Sequence, residues 1–183
     1  TEQRDNGMTT IGFIGVGNMG GPMALNLVKA GHNVKAFDLS GQALGRVVAN
    51  GAGQASSLAD AATDVDVVIT MLPAGEHVRG AYLGDDGIIS AAKPGTLFID
   101  SSTIDVESAR IVGAAAEAAG FAMIDAPVSG GVGGAEAGTL TFMCGGPQAA
   151  FERARPLLDI MGKTVVLAGP SGNGQAAKIC NNM

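Results

Sequence analysis

Apolar residues along this chain fall into short, nearly unbroken runs separated by segments with helical spacing. The first run, Ile11-Gly12-Phe13-Ile14, leads straight into Gly15-Val16-Gly17-Asn18-Met19-Gly20. Met23, Leu27 and Ala30 then recur at three- and four-residue intervals, the stripe of an amphipathic helix. Lys29-Ala30-Gly31-His32 reads as the end of that helix, and Asn33-Val34-Lys35-Ala36-Phe37 as a second strand reaching Asp38. Further on, residues 42–50 and 58–62 read as helices, 65–71 and 96–100 as buried strands, 106–119 as an alanine-rich helix and 121–126 as a strand. Residues 139–144 and 164–167 supply two later strands around a helical segment in which Pro156 is expected to start a new helix. Residues 172–183 begin a further helix as the chain ends.

This alternation predicts an α/β fold of the Rossmann type: a doubly wound, mostly parallel sheet with helices on both faces and ligands at the carboxyl ends of the strands. The informative loops, 15–20, 73–77, 101–105 and 127–138, do follow strands. Each glycine of the first one answers a separate steric demand. Gly15 makes the tight turn, Gly17 lets backbone approach a pyrophosphate, and Gly20 lets helix and strand pack closely. The helix start offers unpaired amides and the positive end of its dipole to the phosphates. Asp38 stands about 20 residues beyond the glycines, where a carboxylate accepts the adenosine ribose hydroxyls and repels a 2′-phosphate. The expected cofactor is therefore NAD.

At 183 residues and 46% hydrophobic content the chain can bury one full core. Net charge is −6, pI is near 4.7 and the basic residues are scattered, so neither nucleic acid nor an anionic membrane is an expected partner. Ligand anions must be held locally. Cys144 and Cys180 lack metal-ligand spacing and read as small core or near-core residues of a protein in a reducing compartment. Residues 1–8 carry acids and no apolar stretch, which suggests a leader outside the fold and a cytoplasmic location. No run reaches transmembrane length.

Five motifs stand in an order that resembles the β-hydroxyacid dehydrogenases, across roughly residues 9–183. They are the glycine loop, Met71-Leu72-Pro73, Asp100-Ser101-Ser102-Thr103-Ile104-Asp105, Asp125-Ala126-Pro127-Val128-Ser129-Gly130-Gly131, and Gly174-Gln175-Ala176-Ala177-Lys178 with Asn181 and Asn182. The resemblance implies NAD-dependent oxidation of a small 3-hydroxy acid to its semialdehyde, within valine catabolism where the substrate is 3-hydroxyisobutyrate. Reduction of tartronate semialdehyde or a related semialdehyde is the alternative, and a non-catalytic NAD-binding module a further one. It also implies a C-terminal helical domain, absent here and entered from residues 171–183, which builds a homo-oligomer.

Mapped by motif, Gly15, Gly17, Asn18, Met19, Gly20, Asp38, Leu72, Pro73 and Thr103 resemble cofactor contacts, and Lys178 the catalytic residue. Ser129, Gly130, Gly131 and Asn182 resemble substrate contacts. His77 departs from the asparagine frequent in relatives. Small residues at 129–131 suit an anion-binding nest of backbone amides, with a mobile glycine-rich loop as the alternative. Alcohol oxidation requires a base for the hydroxyl proton as hydride leaves carbon, a task open to a deprotonated lysine. Asn182 lies at i+4 from Lys178 and shares its helical face, for hydrogen bonding there or for helix packing. Asp125, at a strand end, is expected to cap a loop rather than to act as an acid.

Overall fold

The structure, a computed structural model, describes residues 7–183; of the expected leader, residues 1–6 lie outside the described residues. The first half alternates as read: β1 (Thr10–Ile14), α1 (Gly20–Lys29), β2 (Asn33–Phe37), α2 (Gly41–Ala49), β3 (Gly53–Gln54), α3 (Leu58–Ala62) and β4 (Val67–Thr70). Then come α4 (Gly75–Leu83), α5 (Ile88–Ala91), β5 (Leu97–Asp100), α6 (Val106–Ala118) and β6 (Ala122–Asp125). The remainder is β7 (Val128–Ser129), α7 (Gly131–Ala137), β8 (Leu140–Gly145), α8 (Gln148–Met161), β9 (Gly162–Gly169) and α9 (Asn173–Asn181).

Six strands run parallel in the order β3-β2-β1-β4-β5-β6. β1 sits between β2 and β4, so the chain winds outward in both directions from it, and its carboxyl end is the topological switch point. Period-two alternation sorts side chains to the two faces. Ile11, Phe13, Val67, Ile69, Leu97 and Ile99 join one core cluster, while Ile14, Val68 and Phe98 join the other. No helix among the described residues is long and apolar enough to cross a membrane.

Four features differ from the sequence reading. α8 is one helix with Pro156 inside it, not a new start at Pro156. Pro156 is exposed, so the carbonyl it deprives of a partner reaches water, while Phe151, Ala154, Leu157, Leu158 and Met161 bury one face across it. That packing outweighs a proline penalty of roughly 3 kcal/mol. Second, β8 runs antiparallel to β6 and β7 in one register, Asp125 opposite Gly145, Val128 opposite Phe142 and Ser129 opposite Thr141, before β9 returns parallel. Third, α4 begins inside the 73–77 stretch read as a loop, and α7 lies within the 127–138 stretch read as one. Fourth, Cys180 is exposed, and only Cys144 is a core residue.

Candidate cofactor and substrate site

The glycine loop is tied at the switch point by backbone and carboxylate together. The Gly15 amide donates to the Phe37 carbonyl at 2.9 Å, and Asp38 accepts from the Val16 amide at 2.9 Å and the Ser40 amide at 2.7 Å. A Cβ on Gly15 would lie 2.2 Å from the Met71 carbonyl oxygen, at a φ of +90° that side chains rarely adopt. A Cβ on Gly20 would lie 1.9 Å from the Gly15 carbonyl oxygen. Gly17 differs: a Cβ there meets no protein atom within 4 Å and its φ is ordinary. Among the described residues nothing therefore asks sterically for glycine at 17, whereas a ligand lying against the loop would. Asn18 is exposed and Met19, half-buried, is the first cap of α1, which has no side-chain cap and no acid in its first turn. Open amides, a bare backbone and a held carboxylate fit a dinucleotide.

A buried hub joins the next two loops. Asp100 Oδ1 accepts from Thr70 Oγ1 at 2.8 Å, from Ser102 Oγ at 2.6 Å and from the Ser102 amide at 3.2 Å. Thr70 in turn shares a 3.0 Å hydrogen bond with the Tyr82 hydroxyl, and Ser102 Oγ accepts from the Leu72 amide at 2.8 Å. Leu72 and exposed Pro73 are thereby pinned to the loop that carries exposed Thr103. Burial, opposed by these hydrogen bonds and assisted by the Asp125 charge, pushes the Asp100 carboxyl up to about 6.

The folded protein keeps the Asp100 proton up to about pH 6, whereas the unfolded chain releases it near the ordinary 3.8. The group's stabilisation is complete below pH 3.8 and is lost as pH rises through about 6, on the order of 3 kcal/mol. Asn at 100 retains the oxygen that takes all three hydrogen bonds and carries no charge. Asp100→Asn is expected to flatten the stability profile over that window and raise stability at pH 7, read from urea midpoints at a series of pH values. A wild-type slope in the variant would sink this account.

α9 is docked by two residues outside the sequence-predicted site set. Asp125 Oδ1 accepts from the Gly172 amide at 2.8 Å and Oδ2 from the Gln175 amide at 3.1 Å, the capping role expected for it, here at a helix N-terminus. Burial raises the Asp125 carboxyl above its ordinary value against these hydrogen bonds. Burial and the Asp125 charge together push the Cys144 thiol up to about 12, which leaves it inert. Gln175 donates from Nε2 to the Ser102 carbonyl at 2.7 Å and accepts at Oε1 from the Ile104 amide at 3.1 Å. Lys178, one turn later, is half-buried and, among the described residues, forms no ion pair. Asn182 is exposed and caps the C-terminus of α9, its amide donating to the Lys178 carbonyl at 3.1 Å.

Ser129 ends β7, and Gly130 and Gly131 follow with φ of +134° and +63° at the start of α7. They continue β6 beyond the carboxyl edge of the sheet, and α7 folds back on α1, where Asn26 Nδ2 donates to the Ala135 carbonyl at 2.8 Å. The loops after β1, β4 and β5 and the start of α9 thus share one edge. His77 is exposed on α4. Asp100 and Gln175 stand in motifs quoted from the sequence, but local spacing gives them no role there: Thr70 lies 30 residues from Asp100, and the Ile104 and Ser102 backbone groups lie 71 and 73 residues from Gln175.

Comparison with known proteins agrees with this arrangement. Residues 10–169 match the family model described as the NAD binding domain of 6-phosphogluconate dehydrogenase. The chain is 56% identical over 176 residues to 3-hydroxyisobutyrate dehydrogenase of Pseudomonas aeruginosa, covering 96% of this chain and 59% of that protein. It is 55% identical over 175 residues to the NAD-dependent L-serine dehydrogenase of the same organism, again 59% of its length. A solved structure of Mycobacterium tuberculosis 3-hydroxyisobutyrate dehydrogenase with L-serine superposes with a TM-score of 0.93 at 52% identity, over 96% of this chain and 60% of that one. The chain thus spans about three-fifths of the length of these relatives. On the family match and these identities, the chain belongs to the β-hydroxyacid dehydrogenase family, and residues 10–169 are its NAD-binding domain.

Proposed function

We propose that the chain is the cofactor-binding part of an NAD-dependent dehydrogenase that oxidises 3-hydroxyisobutyrate to methylmalonate semialdehyde. The observation that carries this reading is the docking of α9, with Lys178, onto the loop that carries Thr103, at the sheet edge that holds the glycine loop. Gly15, Gly17, Asn18, Met19 and Gly20 cradle the pyrophosphate, Asp38 takes the adenosine ribose, and Leu72, Pro73 and Thr103 line the path toward the nicotinamide end. Bound NAD supplies the hydride acceptor. Neutral Lys178 takes the hydroxyl proton as the carbon–hydrogen electron pair leaves and the carbonyl forms; its ammonium then releases the proton to solvent. The amides of Gly130 and Gly131, with the Ser129 hydroxyl, hold the substrate carboxylate, and Asn182 orients the reacting end. A cytoplasmic location and a homo-oligomeric full-length enzyme go with this reading.

The L-serine dehydrogenase relative favours a second reading, since serine is also a 3-hydroxy acid. A substrate panel with the full-length enzyme decides between them: kcat/KM is expected to be highest for 3-hydroxyisobutyrate, and a higher value for L-serine or tartronate semialdehyde would replace the first reading. Cofactor choice is tested on this chain by calorimetric titration. Asp38→Ala is expected to weaken NAD binding by about 10- to 150-fold through loss of charge-assisted hydrogen bonds worth about 1.5–3 kcal/mol. Wild-type chain binding NADP as tightly as NAD would contradict the role given to Asp38.

A further inference from the structure

Gln175 is a completely buried polar side chain, 0% exposed, on the first turn of α9, and the proposed reaction does not use it. Its two hydrogen bonds fall on the Ser102 carbonyl and the Ile104 amide, the backbone groups on either side of Thr103. Residues 101–105 form neither helix nor strand, so these groups have no ladder to join, and one planar amide serves both as a neighbouring strand would. On the other side the same loop is pinned by Ser102 Oγ to Asp100 and the Leu72 amide. Thr103 is left exposed between two fixed neighbours. The Gln175 backbone amide is itself held by Asp125, and Lys178, three residues on, shares its helical face.

We infer that Gln175 is a positioning residue that sets the helix bearing Lys178 in register with the loop bearing Thr103. The inference rests on the dehydrogenase reading above. A buried leucine would pack α9 equally well while leaving two backbone groups unpaired, so the amide serves geometry rather than packing. Held this way, the proton acceptor and the cofactor-side loop move as one body. Loosening the link separates them by a fraction of the reaction distance.

The test uses the full-length dehydrogenase. Gln175→Met keeps the length of the side chain and loses both hydrogen bonds. It is expected to lower kcat about 100-fold, the scale of an ångström of misplacement, with KM for the hydroxy acid little changed. The primary deuterium isotope effect at the oxidised carbon is expected to rise as hydride transfer becomes limiting. Gln175→Glu keeps the acceptor for the Ile104 amide and has the donor for the Ser102 carbonyl only when protonated. Its kcat relative to wild type is expected to recover as pH falls, a signature that packing alone does not produce. A folded Gln175→Met enzyme with wild-type kcat and isotope effect overturns the inference. So does a Gln175→Glu profile parallel to wild type, or failure of both variants to fold. Lys178→Ala separates the levels: if it stays active, the proton-acceptor role given to Lys178, on which the inference rests, has failed, and if it is inactive while Gln175→Met is normal, only the positioning role has.

Discussion

Lys178→Ala in the full-length enzyme is expected to lower kcat by about 10²- to 10⁴-fold, the range that a positioned acid or base supplies, and to leave NAD binding unchanged. Oxidation of an alcohol leaves a proton on oxygen whose removal must keep pace with hydride departure, and Lys178, the residue proposed to take it, stands on α9, whose first turn is bonded to the loop that carries Thr103. Its helix is held from the other end, through the Gly172 and Gln175 amides on Asp125 and the Gln175 side chain on the 102–104 loop. Truncating a half-buried side chain one turn past those anchors removes no partner of any buried group. Fold and cofactor binding are thus expected to be spared while the proposed proton acceptor is lost. The reductive direction should fall with the oxidative one, because the same nitrogen then donates the proton. Steady-state rates in both directions, with calorimetric NAD titration, check this. Retention of kcat by a folded variant would move the acid–base role to another residue.

Why some of this was legible in the sequence and some was not follows from range. β1, α1 and β2 declare themselves because strand, turn, helix and carboxylate all fall within one continuous stretch, and the steric demands at Gly15 and Gly20 arise inside it or against the adjacent strand. A capping role for Asp125 was legible from its place at a strand end, but its partners were not, since the amides it holds at the start of α9 lie 47 and 50 residues on. α7 was not: Gly131, Gly133 and Gly134 give its first four residues poor helix propensity, and the helix persists through a left-handed cap at Gly138 and the Asn26 bond to Ala135. Pro156 misled because a local penalty was read without the buried face that continues across it. The hub at Asp100 and the clamp at Gln175 are made by residues that meet only after β4, β5 and α9 assemble, so periodicity carried no trace of them. Spacing puts Asn182 at i+4 from Lys178, but the structure makes it the exposed cap of α9 rather than an interior helical position.

The three glycines of the first loop should respond to the same methyl group in opposite ways. Gly15→Ala adds a Cβ 2.2 Å from a backbone oxygen that belongs to the next strand's loop, at a φ of +90°. The left-handed backbone costs about 1–2 kcal/mol and the clash about 1–3 kcal/mol, so the melting temperature should fall by roughly 5–15 °C. Gly20→Ala meets the Gly15 carbonyl at 1.9 Å, and since both atoms are backbone the strand–helix contact itself must open. It should be destabilised to a similar degree. Gly17→Ala places its methyl in open space, so stability should stay within about 0.5 kcal/mol. On the proposed reading that space takes the pyrophosphate, and crowding it by one methyl would cost on the scale of core overpacking, about 1–3 kcal/mol, or about 5- to 150-fold in the Kd for NAD. Melting curves and NAD titrations of the three variants give the comparison. A Gly17→Ala chain that binds NAD as tightly as wild type would place the pyrophosphate elsewhere, whereas loss of stability at 17 would mean that glycine there serves the fold, as at 15 and 20, and not the ligand.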